Sequence, residues 1–252
     1  MHLLRTLEAI ADAYHVKSQP QSTRGYFGLH DAKTITRLVE ENCLAVREPS
    51  SARVIRFIER CSQFLEYDTK RMDPADVRSM LAETFARLDD IFFFGLLSRH
   101  VPTSEGGQRF LINLKFPVTP SPKDETGLFD FPSGLLTIHL TDSRGARSFE
   151  RLLFSMIHEM THAWLIVFSD PMHLKHGKWV GRHVQHGNMF LRLNLFVRQT
   201  AAGLMPAATI LKEELIASQF DLDMYMNSFD GNTKDRGNMS GWKSRLVAAL
   251  TP

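Results

Sequence analysis

Residues 148–168 read SFERLLFSMIHEMTHAWLIVF, and this stretch decides the fold. Phe149, Leu152, Leu153, Met156, Ile157, Met160, Ala163, Trp164 and Val167 recur through it at helical spacing. Ser148 stands where an N-cap hydroxyl belongs. Asp170-Pro171 marks the far end, because the residue before a proline leaves the helical region. The expectation is a buried helix of about five turns. Inside it lies His158-Glu159-Met160-Thr161-His162, an HExxH pentad. Residues four apart share one helical face, so both imidazoles can aim at one ion. Glu159 sits beside the first of them and can reach a water on that ion. Two histidines and a glutamate base are the minimum kit for zinc-dependent peptide hydrolysis. The plainer reading is two histidines one turn apart beside a solvated glutamate. The helical context favours the metal reading.

Upstream of the pentad, three helical segments are expected at 2–15, 32–47 and 51–66. Their apolar positions include Leu3, Leu4, Leu7 and Ile10, then Ile35, Leu38 and Val39, then Val54, Ile55 and Ile58. Asp73-Pro74 is an N-cap followed by proline at the first helical position, and Val77, Met80, Leu81, Phe85, Leu88 and Ile91 continue as a helical stripe. Residues 109–116 (RFLINLKF) alternate as a strand should, 117–126 form a Pro-rich loop, and 128–131 and 135–140 form two strands around Pro132-Ser133-Gly134. The expected class is α+β, with a small antiparallel sheet packed on helices. Downstream, 169–183 reads as loop. A helix begins near His186, Pro206 breaks it, and a further helix is expected at 207–225. The organisation expected is a helical N-terminal extension (1–70), a central unit (71–205) and a C-terminal helical or mobile segment (206–252). The extension packs on the central unit or plugs it.

Composition narrows the class. Hydrophobic residues make up 43% and charged residues 23%, both ordinary globular values. The net charge of +2 says nothing about partners. Two cysteines, Cys43 and Cys61, are too few for a disulfide framework or a four-cysteine zinc ribbon within this chain. Arg5, Glu8 and Asp12 interrupt any secretory apolar core, and the apolar run from Ala163 to Phe168 is far too short to span a bilayer. The expectation is an intracellular protein of nucleus or cytosol, with no membrane partner.

A catalytic zinc usually has three protein ligands and one open position. The metzincin pattern would need glycine and histidine where this chain has Leu165 and Phe168, so that class is excluded. A gluzincin would draw a glutamate from a later helix, and Glu213 or Glu214 is available for that role. Four histidines also follow the pentad: His173, His176, His183 and His186. The first three lie in polar sequence. His186 heads His186-Gly187-Asn188-Met189-Phe190 at the start of an apolar helix. Gly187 lets the backbone lie close to the metal, and Phe190, one turn on, can hold the imidazole against the core.

HEMTH followed by HGNMF resembles the SprT-like (Spartan-type) metalloprotease family. Residues 82–97 (AETFARLDDIFFFGLL) are similar to that family's helix ending in an aromatic-Gly-Leu turn, and 134–142 (GLLTIHLTD) to the strand before its active helix. The likeness covers about residues 75–200. It implies a zincin-like core, His186 as third zinc ligand, and cleavage of proteins crosslinked to DNA.

The expected mechanism is hydrolysis at a Zn²⁺ held by His158, His162 and His186, with Glu159 as general base and protein as substrate. Arg182, His183 and Tyr225 are candidates to stabilise the oxyanion. From Asp142 to Thr200, eight Lys/Arg face four acids, a local surplus of four, and a basic rim of Lys175, Lys178 and Arg182 would attract DNA phosphates. Trp179 could stack on a base or pack under its own loop. A zinc-bound, non-proteolytic DNA- or protein-binding module is the alternative from another class.

Overall fold

The computed structural model describes residues 4–8, 30–102, 107–122, 125–131, 133–182 and 185–208, with side chains omitted at 102, 182 and 185. Most of the expected helices at 2–15 and 207–225, together with His183, Glu213, Glu214 and Tyr225, lie outside these residues.

The first helical turns are α1 (residues 4–8), α2 (Ala32–Asn42), α3 (Leu44–Arg47) and α4 (Ala52–Leu65). Asp31 caps α2 by accepting from the Thr34 N–H at 2.8 Å. The single helix expected at 32–47 is broken at Cys43, whose backbone is extended. The Cys43 carbonyl then accepts from Val46 and Arg47 and restarts the helix as α3, with the Cys43 side chain fully buried at the corner. Helix α5 (Pro74–Phe92) begins where the Asp-Pro pair predicts, with Asp73 accepting from the Ala75 N–H at 2.7 Å.

The turn after α5 is clamped from inside. Phe94 and Gly95 both take positive φ, 63° and 71°. The buried carboxylate of Asp89 then accepts from the Leu97 N–H, the Ser98 N–H and the Ser98 hydroxyl at 3.1, 2.7 and 2.7 Å. Phe93 and Phe94 lie on Trp164, with ring centroids 5.5 and 6.0 Å away, so this turn is fixed against the pentad's helix.

Strands β1 (His100–Pro102) and β2 (Gln108–Phe110) form an antiparallel pair. Strands β3 (Asn113–Lys115), β4 (Gly127–Asp130) and β5 (Leu135–Ile138) form a sheet in the order β3-β5-β4. Two expectations are corrected here. The strand expected at 109–116 is two strands, because the backbone at Leu111 and Ile112 turns to bond Arg99 and Leu97 while both side chains are buried. The sheet is also mixed rather than antiparallel. β4 runs antiparallel to β5, but β3 runs parallel to it, since the Pro-rich loop carries the chain past β5 before β4 turns back. A short hairpin, β6 (Thr141–Asp142) and β7 (Gly145–Ala146), leads into α6 (Phe149–Phe168).

Helix α6 is the centre of the molecule. It packs on β4, β5 and the helices on either side. Fifteen of its 20 residues are buried, the mark of a core helix rather than a surface one. The other five, Arg151, Phe154, His158, His162 and Ile166, fall three or four apart and form one stripe. Both pentad histidines lie on this stripe, the only partly open face of α6.

Beyond α6 the expected loop contains structure: α7 (His176–Val180) and the paired β8 (Gly181–Arg182) and β9 (Gln185–His186). Helix α8 (Asn188–Leu204) then packs against α6 and α2. Arg192 of α8 holds Glu40 of α2 through two hydrogen bonds of 2.7 and 2.6 Å. One cluster of buried apolar residues runs from Leu7 through Val39, Phe57, Leu88 and Trp164 to Ala208. No described helix is long and apolar enough to cross a membrane.

Candidate metal centre

Three imidazoles from two parts of the chain converge on the open stripe of α6. His158 and His162 come from adjacent turns of the helix, and His186 comes from the end of β9. Their ring centroids lie 5.0, 4.8 and 5.2 Å apart, and one nitrogen of each falls within 4.8 Å of the others. Among the described residues, this is the one group of His, Cys, Asp and Glu side chains close enough to share an ion. Three neutral imidazoles suit zinc, copper, iron or nickel by donor chemistry.

Phe190 supports all three rings. It stacks on His186 at 4.3 Å and 13° and on His162 at 4.0 Å and 26°, and meets His158 edge-on at 4.9 Å. The expected one-turn anchoring of His186 is therefore present, and it extends to the pentad. Gly187 has a different role from the expected one. A Cβ there would lie 2.3 Å from the Trp179 carbonyl carbon and oxygen and 2.7 Å from the Gly181 nitrogen. The missing side chain admits the backbone at the end of α7, not a metal. The Gly187 N–H bonds the Val180 carbonyl at 3.2 Å, and this crossing sets where His186 points.

Glu159 is buried beside the triad, at 5% exposure. Burial pushes its carboxyl up to about 8, although the Phe129 N–H of β4 donates to it. Gly127 makes the approach possible, because a Cβ there would lie 2.8 Å from Glu159 Cγ. Burial first, then the neighbouring His162, Arg198 and His186, lowers His158 to about 2. Burial and then Arg198 lower His186 as well. Both rings are therefore held neutral, as metal donors must be.

Of the other histidines that follow the pentad, the two described lie apart. His173 stacks on Trp179 with centroids 4.6 Å apart, and His176 Nδ1 meets the Ser169 hydroxyl at 3.3 Å. Trp179 is half-buried against the core, and Lys175 Nζ lies 5.9 Å from its ring, the packed arrangement rather than a free stacking platform. The basic surplus is smaller than the sequence count. Arg147 and Arg198 are buried, and Arg192 is held by Glu40. Lys175 and Lys178 are exposed, and the Arg182 side chain is not described.

Sequence reasoning missed Gly127, Phe154, Asn194 and Arg198. Glycine within a strand is a signal of close approach, and Gly127 carried it. Phe190, Asn194 and Arg198 recur every four residues on α8, a second signal that one face of that helix meets α6. Arg198 places its guanidinium 3.2 Å over the Phe154 ring and its Nη2 3.5 Å from His158 Nδ1. No family model, curated protein or solved structure matches the chain.

Proposed function

We propose that the chain is a zinc-dependent endopeptidase with a zincin-like core of the SprT-like kind. The observation that carries this reading is the convergence of His158, His162 and His186 on one point, with the buried carboxyl of Glu159 next to the first of them. A zinc ion held by His158, His162 and His186 would polarise the scissile carbonyl, acidify a water and favour the ionised form of Glu159. The chain's own residues do the rest. The three imidazoles would hold the ion, with Phe190 packed against each ring. Glu159 takes a proton from the water and passes it to the leaving amine. Gly127 and the Phe129 N–H keep its carboxyl in place.

The substrate class implied by the resemblance is protein bound or crosslinked to DNA. Exposed Lys175 and Lys178, on the segment leading into the strand of His186, support contact with phosphates. Trp179 adds nothing to this, since its ring is packed.

The test is metal analysis with cleavage of casein or histone, with and without single-stranded DNA, on wild type and Glu159→Gln. Both proteins are expected to hold about one zinc, and only the wild type to cleave. Cleavage by the variant at the wild-type rate would show that Glu159 is not the base. A zinc-loaded wild type that cleaves nothing would make the chain a binding module.

A further inference from the structure

Helices α6 and α8 meet in a definite register. Phe190 stacks on His162, and Arg198 lies over Phe154, eight residues along each helix in opposite directions. The helices are therefore antiparallel here, and Asn194 lies midway on α8 between Phe190 and Arg198, both of which contact His158, the residue midway on α6. Asn194 is 6% exposed, and its Oδ1 has no hydrogen-bond partner. A buried amide oxygen left without a donor is costly, and native proteins rarely keep one without a use.

The His158 ring has a complementary need. His158 Nδ1 lies 3.5 Å from Arg198 Nη2. A guanidinium only donates, so a hydrogen bond between the two requires a bare Nδ1, with the hydrogen on Nε2. An imidazole that ligates through Nε2 must carry its hydrogen on Nδ1, where it needs an acceptor. Arg198 cannot accept it. Asn194 offers an acceptor on the same face of α8, one turn earlier.

We propose that Asn194 is a positioning residue whose Oδ1 accepts the Nδ1–H of His158 when the three histidines hold a metal. It fixes the ligating tautomer of His158, and its orphaned oxygen gains a donor only in the loaded protein. The proposal rests on the metal centre and not on peptide hydrolysis.

The test compares the full chain as wild type, Asn194→Leu and Asn194→Asp. Zinc affinity is measured by chelator competition. The His158 tautomer is read from long-range ¹⁵N–¹H correlations of the zinc-loaded protein. Asn194→Leu is expected to bind zinc about 10- to 100-fold more weakly, while its metal-free melting temperature is unchanged or higher because no orphaned oxygen remains. Asn194→Asp keeps an acceptor and is expected to stay within a few-fold of wild type. The zinc-loaded wild type is expected to show hydrogen on Nδ1 of His158. Unchanged affinity in Asn194→Leu, or a bare Nδ1 in the zinc-loaded wild type, overturns the proposal. Should the leucine variant not fold, the tautomer reading on wild type still decides. A wild type that binds zinc but cleaves nothing leaves Asn194 in its role, whereas one that binds no zinc removes the centre itself.

Discussion

Glu159 occupies the space that a side chain at position 127 would need. A Cβ on Gly127 would lie 2.8 Å from Glu159 Cγ, 3.0 Å from its Oε1 and 3.0 Å from Ile138 Cδ1. Strand β4 thus approaches Glu159 more closely than any residue with a side chain at 127 would allow.

Gly127→Ala is expected to push the Glu159 carboxyl aside without touching any histidine. A displacement of about 1 Å at a catalytic group costs about 100-fold in rate, and overpacking costs about 1–3 kcal/mol of stability. Zinc content should stay at the wild-type level. Peptide cleavage kinetics, urea unfolding and metal analysis check the three parts separately.

Glu159 also gives the metal-free protein a pH signature. Burial holds its proton up to about pH 8 in the fold, against 4.5 for an ordinary glutamate. The folded state binds more protons than the unfolded one between those values, so stability falls as pH rises across that window. Asp89, raised by burial to about 7, acts with the same sign from 3.8 upward. His158, lowered to about 2, acts with the opposite sign below 6.5. Above about pH 7 only Glu159 of these three still titrates. Glu159→Gln should therefore melt higher than wild type near pH 8, with a smaller difference near pH 5. Scanning fluorimetry of chelator-treated protein measures this, and a pH-independent difference would count against the burial argument.

The identity of the third ligand can be read from metal content alone. His186→Ala is expected to weaken zinc binding by more than the roughly 10- to 100-fold that supporting residues cost. His173→Ala and His176→Ala should leave it unchanged, since one ring is stacked on Trp179 and the other faces Ser169. Glu214→Ala should also leave it unchanged; loss of zinc there would restore the gluzincin alternative.

Charge reversal on the short helix tests the DNA reading. Lys175→Glu with Lys178→Glu is expected to weaken single-stranded DNA binding and to flatten its dependence on salt by about 0.7 for each phosphate no longer neutralised. Fluorescence anisotropy between about 50 and 200 mM salt measures both. An unchanged slope would remove these lysines from any DNA surface.

The parts of the fold legible in the chain were those ruled by local chemistry. Asp73 and Ser148 cap the helices that follow them as their sequence suggests, and the apolar rhythm of α5 and α6 has one reading. What was illegible depends on distant partners. Leu111 and Ile112 continue a strand pattern perfectly well, and only the carbonyls of Arg99 and Leu97 turn the chain there. The parallel pairing of β3 with β5 is invisible for the same reason, because alternation fixes which face a side chain takes and not the direction of its neighbour. At the site, His158, Glu159 and His162 follow from helical spacing, and His186 from its place before Phe190. Arg198 was one of the eight Lys/Arg counted between Asp142 and Thr200, because charge is what a sequence displays. Its burial over Phe154 depends on how α8 meets α6.

The crossing at Gly187 gives the segment between the second and third histidines a meaning its length alone would hide. His186 is held in place because the carbonyl of Trp179 and the nitrogen of Gly181 occupy the volume where a side chain on Gly187 would go. Residues 176–181 are therefore the jig on which His186 is set. Without that crossing, His158 and His162 would still share one face of α6, and His186 would lose what aims it at them.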